Sequence, residues 1–165
     1  GGDIALHLAQ GEKFSMAMAS ERGADLGRVV IRPDDGIRGV ATSGRGGRSL
    51  SLGIADSVTV LARTASAADV AATLIANAVD LPGHPSIRRQ SAKDVWEVSD
   101  LGELPVVVGC GPLCSAERDR ALAAGVQRAN DMMQSELIVG AALFLQGESR
   151  TVGQTCSTDN RLLPV

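Results

Sequence analysis

The sequence has no tyrosine, one tryptophan and two phenylalanines, so aromatic residues supply only 2% of a 165-residue chain that is 44% hydrophobic. Its core must therefore be built from Ala, Val, Leu and Ile packed closely, with Phe14, Trp96 and Phe144 as isolated bulky members. The shortage of aromatic faces removes the stacking platforms on which single-stranded nucleic acid is held. An excess of positive charge is missing too: the formal net charge of -3 offers a polyanion no attractive field, so nucleic acid is excluded as an expected partner. No apolar run approaches the roughly 20 residues of a membrane-spanning helix, and no basic-then-apolar opening resembles a signal peptide. The chain is thus expected to be cytoplasmic, with no membrane partner.

Three cysteines, Cys110, Cys114 and Cys156, form an odd set unsuited to a disulfide framework, and reduced thiols are expected. Cys110 and Cys114 are loosely spaced, with no His or Cys partner nearby, which is a poor pattern for a metal site. No Gly-x-Ser-x-Gly elbow occurs and there are only two histidines, so a nucleophile, base and orienter cannot be assembled. No catalytic residue is assigned.

What is there fits one α+β domain, a mainly antiparallel sheet packed with helices. The opening at Gly1-Gly2-Asp3, without an initiating Met, reads as a cut inside a motif, so residues 1–147 are expected to be the C-terminal portion of a domain and 148–165 a polar tail. Ile4, Leu6 and Leu8 alternate with Ala5 and His7 as in a half-buried strand, and Gln10–Lys13 reads as a hairpin turn into a second strand, Phe14–Ala19. Arg28–Arg32 predicts a third strand, stopped by Pro33-Asp34-Asp35-Gly36. Strand character resumes at Ser57–Ala62. An Ala-rich helix follows over Ser66–Val79, with Val70, Leu74, Ile75 and Ala78 as its apolar face and a capping box at Ser66–Asp69. Asp80–Pro85 ends it, and an irregular polar stretch leads to a short strand, Val106–Val108. A helix of about five turns from Ser115 to Gln134 and a closing strand, Ile138–Gln146, complete the reading.

Asp69 and Thr73 lie four apart on the expected helix, so their oxygens project from one face within reach of a single ion. Mg²⁺ takes hard oxygen ligands, keeps several waters and shares its remaining positions with substrate phosphates, so two protein ligands suffice. The same residues also suit a helix start capped at Asp69, with Thr73 in the wall. Asp3 and His7 share the strand face opposite Ile4, Leu6 and Leu8, and the Gly1-Gly2 pair lets another group approach the backbone; a turn entering a strand with His7 on its wet face also accounts for them, and is the simpler reading. Thr42–Ser49 offers amides, hydroxyls and the guanidinium groups of Arg45 and Arg48, an inventory for a pyrophosphate that a solvated turn also explains. It matches neither the Walker pattern nor G-x-G-x-x-G, since no helix opens directly from it. His84, between Gly83 and Pro85, reads as a loop residue without a role.

Taken in order, Gly1-Gly2-Asp3-Ile4, Ala41-Thr42-Ser43-Gly44, Ser57-Val58-Thr59-Val60 and Ala68–Thr73 resemble the ApbE superfamily of FAD-dependent flavin transferases. The strings Gly53–Val60 and Leu74–Pro85 resemble its compact UPF branch, and the likeness covers most of residues 1–147. The resemblance implies an ApbE-like fold in which FAD lies across Gly1, Gly2 and Asp3 and the turn of Thr42, Ser43, Gly44 and Arg48. It further implies Mg²⁺ on Asp69 and Thr73, with one more ligand upstream of Gly1. In such proteins the ion polarises the pyrophosphate while FMN passes from FAD to a Ser or Thr hydroxyl of an acceptor protein. This chain departs from the transferase pattern twice. Gly44-Arg45-Gly46-Gly47-Arg48 replaces an acidic-Tyr-Glu-Arg run, and Ser51–Asp56 replaces a His-Ile-x-Asp-Pro-x-Thr-Gly stretch, with Asp56 standing for its Asp and the His lost.

Two functions are therefore expected to compete. One is Mg-dependent FMN transfer, and the other is a non-catalytic module binding flavin or another phosphate-containing small molecule, accessory to metabolism such as sulfur assimilation. Small Ala-rich helices pack closely, which admits a homo-oligomer.

Overall fold

In the computed structural model, residues 3–19, 25–47 and 49–153 are described. The elements are β1 (Ile4–Ala5), β2 (Phe14–Ala19), β3 (Asp25–Ile31), β4 (Gly39–Ser43), β5 (Ser57–Ala62), α1 (Ala65–Ala78), β6 (Ile87–Ser91), α2 (Ala92–Val95), β7 (Pro105–Cys110), α3 (Ser115–Gln134), β8 (Gly140–Leu145) and β9 (Glu148–Gly153). A five-stranded antiparallel sheet runs in the order β1-β4-β5-β8-β9, and β2–β3 and β6–β7 form separate two-stranded sheets. The chain is thus a mixed α and β fold with antiparallel sheets, as its sequence pattern requires.

The sheet separates two cores by the period-2 rule. Val40 and Leu61 are partners across β4–β5 and pack in the cluster that holds Val29 and Ile31 of β3. Ala41 and Val60, the adjacent partners, point the other way, into the larger core beneath α1 and α3. Ile75, Leu122 and Leu143 are fully buried there, and each such side chain contributes about 2 kcal/mol by leaving water.

Helix α1 buries Ala68, Ala71, Ala72, Ile75 and Ala76, whereas Val70 and Leu74 stand 58% and 39% exposed. The expected apolar face is corrected accordingly. Ile75 is buried as expected, among alanines that let the helix sit close, and at its C-terminal end a Cβ added at Gly53 would lie 2.2 Å from the Ala76 carbonyl oxygen. The helix start also lies earlier than the expected Ser66–Asp69 box. Thr64 is the N-cap, and its hydroxyl accepts from the Ala67 amide at 3.1 Å.

Three further expectations change. Strand β1 pairs with β4, Ile4 opposite Val40, while the hairpin is β2–β3; after Ala5 the Leu6 amide donates to the Arg38 carbonyl at 2.8 Å. The irregular stretch before Val106 contains β6, paired with β7, and the short helix α2. Residues after Glu148 do not leave the fold at once, because β9 pairs with β8 through Gly153; residues 154–165 lie outside the described set. No described helix is long and apolar enough to cross a membrane.

Candidate functional site

The end of β4 and the exposed side of α1 bring together two residues that are 30 apart in the chain. Ser43 has the same parity as Ala41 and therefore points toward the helices. Thr73 Oγ1 lies 3.5 Å from Ser43 Oγ as a long hydroxyl contact. Asp69, one helical turn before Thr73, is exposed and has no hydrogen-bond or ion-pair partner among the described residues. One carboxylate and two hydroxyls thus face solvent along the β4–α1 seam.

Thr42 does not join them. Its parity is that of Val40, so it projects from the opposite face, where its hydroxyl shares a 2.9 Å hydrogen bond with that of buried Thr59. Asp3 is exposed just ahead of β1, at the sheet edge beside β4, and His7 is exposed beyond it. Gly1, Gly2 and Arg48, expected at the same site, lie outside the described residues.

The turn after Ser43 proves self-contained. Gly44 has φ 143°, and a Cβ there would meet the Asp56 carbonyl oxygen at 2.7 Å, so only glycine lets the turn lie against Asp56. The amides of Arg45, Gly46 and Gly47 donate to the carbonyls of Ala55, Asp56 and Gly44 at 2.9, 3.3 and 3.0 Å. Arg45 spends its guanidinium on Asp56 Oδ1 at 2.5 Å and the Ile54 carbonyl at 3.2 Å. The expected inventory of free amides, hydroxyls and a free Arg45 is therefore corrected, at the seam, to the Ser43 hydroxyl. Asp56 is also engaged, since its second oxygen accepts from the Gln146 backbone amide at 2.5 Å.

Gln146 then binds the next layer, donating to the Gly111 carbonyl at 2.8 Å and accepting from the Leu113 amide at 2.9 Å. Burial pushes the Cys110 thiol above its ordinary pKa against the pull of Arg45, which leaves it a poor nucleophile. Among the described residues no three His, Cys, Asp or Glu side chains are grouped to hold a metal ion. A cation at the seam would therefore rest on Asp69 with hydroxyls, waters and ligand oxygens, which is donor chemistry suited to Mg²⁺ and unsuited to zinc.

A second constellation was not legible in the sequence. His84 Nε2 meets Glu117 Oε1 at 2.9 Å, and its Nδ1 accepts from the Ser86 amide at 3.2 Å, so the proton sits on Nε2 and is donated to the carboxylate. The other Glu117 oxygen accepts from the Cys114 amide at 2.7 Å, capping α3. The His84 hydrogen bond, then the Cys114 amide, lower the Glu117 pKa from 4.5 to about 2. The separation of 33 residues hides this pair from any local pattern.

The chain belongs to the family described as AbpE bacteria, which it matches over residues 1–151. It is 45% identical over 85 residues to a UPF0280 protein of Methanothermobacter thermautotrophicus (strain Delta H), a match covering 50% of this chain and 32% of that relative. The matched part thus spans about a third of the relative's length.

Proposed function

We propose that this chain carries an ApbE-like site that holds a pyrophosphate ligand, FAD or a related phosphate compound, through Mg²⁺ on the β4–α1 seam. The observation that carries the reading is the convergence of Ser43, Thr73 and unpartnered Asp69 on one solvent-facing surface. Asp69 and Thr73 supply the protein's ligands to the ion, and Ser43 supplies a hydroxyl to the phosphates. When bound, the ion neutralises pyrophosphate charge and polarises the bond to be broken. The protein's own contribution is orientation: β4, pinned between β1 and β5, and α1, pressed on the sheet, hold the donors on rigid elements.

Transfer of FMN to a Ser or Thr hydroxyl of an acceptor protein is the activity this site would serve. Binding without transfer is the second reading, favoured by the engagement of both Asp56 oxygens, which ties that carboxylate to Arg45 and to the Gln146 backbone. Incubating the full-length protein with FAD, Mg²⁺ and candidate acceptors, followed by mass spectrometry, separates the two. An added FMN mass on an acceptor supports transfer. Mg-dependent retention of FAD without any adduct supports binding alone, and no retention of FAD rejects both FMN transfer and flavin binding.

A further inference from the structure

A shallow depression of about 550 Å³, wide open to solvent, lies at the end of α1 remote from Asp69, between the turn Leu81–Pro85 and the outer side of α3. It can seat one side of a small organic ligand and leaves the other in water. Leu81, Pro82, Pro85 and Ala124 give it apolar walls, and Asp80, His84 and Arg120 are its ionisable lining.

The carboxylates around it are already engaged. Asp80 pairs with Arg89 at 2.6 Å, and Glu117, behind His84, is held by that histidine and the Cys114 amide. On α3, Asp119 pairs with Arg150, and Glu148 pairs with Arg118 at 2.7 Å. Arg120, exposed at the rim of the depression, has no ion-pair or hydrogen-bond partner among the described residues. His84 has both ring nitrogens occupied and competes for nothing that enters. A guanidinium left over in this way presents a planar fork that matches a carboxylate or phosphate group.

We propose that this depression binds a small organic anion, its carboxylate or phosphate on Arg120 and its apolar body against Pro82, Pro85 and Ala124. The site is separate from the β4–α1 seam and stands independently of the pyrophosphate reading.

Titration of ¹⁵N-labelled full-length protein with benzoate, phenyl phosphate and inorganic phosphate tests it by NMR. The expected result is saturable shifts of the Leu81, Gly83, His84, Arg120 and Ala124 amides with an aryl anion. Inorganic phosphate is expected to act more weakly, because it lacks the apolar body. Preference for benzoate or phenyl phosphate identifies the anionic group. Arg120→Gln should weaken binding by about tenfold or more, as loss of a charge-assisted hydrogen bond requires, and Ala124→Leu should block the depression with Arg120 intact. Folded protein in which neither aryl anion moves those amides, or in which Arg120→Gln binds as tightly as the wild type, would overturn the proposal.

Discussion

Thr73 on α1 and Ser43 at the end of β4 meet at 3.5 Å, whereas Thr42, the neighbour of Ser43, projects from the other face of the sheet toward Thr59. Two adjacent hydroxyls on the same strand are thereby assigned different work. Ser43→Ala should weaken Mg-dependent FAD binding while leaving thermal stability near that of the wild type. Thr42→Val should do the reverse: it leaves buried Thr59 without its partner and costs roughly 1–3 kcal/mol. Urea unfolding and ligand titration on both variants check the split. Equal loss of binding in the two would contradict it.

The close seat of α1 makes Gly53 a sensitive position. With a Cβ 2.2 Å from the Ala76 carbonyl oxygen and 2.9 Å from Asn77 Cα, Gly53→Ala meets backbone on both counts. Overpacking of this kind costs about 1–3 kcal/mol. A lower melting temperature is expected, whereas Val70→Ala on the exposed side should change it little.

Acid sensitivity should follow the α3 cap. The Glu117 pKa is held at about 2 in the folded protein against an ordinary 4.5, because the ionised carboxylate is bonded to His84 and the Cys114 amide. A group with a depressed folded pKa contributes stability above its unfolded value and loses it as pH falls through the folded one. Stability should therefore drop as pH falls from 4.5 toward 2. Glu117→Gln should be less stable than the wild type at neutral pH, and the gap should close across that window in urea titrations at stepped pH. Glu148, lowered chiefly by its Arg118 hydrogen bond, adds a loss of the same sign.

The two described cysteines should differ in reactivity. Cys110 is part-buried with a raised pKa, while Cys114 is exposed at the start of α3. Iodoacetamide followed by peptide mapping should label Cys114 well before Cys110. Equal rates would show that the Gln146 layer over Cys110 opens readily.

Much of the fold is legible in local pattern, and the misses share one cause. Helix α3 and strand β5 emerge from periodicity and from the residues that bound them. The buried face of α1 does not, because apart from Ile75 it is alanine, and the larger, exposed Val70 and Leu74 carry the stronger apolar signal. Strand β6 has only Ile87 to mark it. It is held instead by β7 and by Arg89, which reaches the Leu52 carbonyl at 2.6 Å and Asp80. At the candidate site, the Asp69–Thr73 spacing is local and readable, while the approach of Ser43 and the turn's use of its own amides depend on pairing with β5 and Asp56. His84 and Glu117 lie on segments that only the folded chain brings together.

The central claim is a Mg-dependent phosphate-ligand site built on Asp69, and calorimetric titration of FAD into the folded full-length protein tests it most directly. It should be run with and without Mg²⁺ on the wild type and on Asp69→Ala, whose exposed side chain can be removed without disturbing the core. The account predicts FAD binding that requires Mg²⁺ and is lost in the variant. Folded wild-type protein that shows no FAD binding, or binding unchanged by Mg²⁺ and by Asp69→Ala, would contradict it.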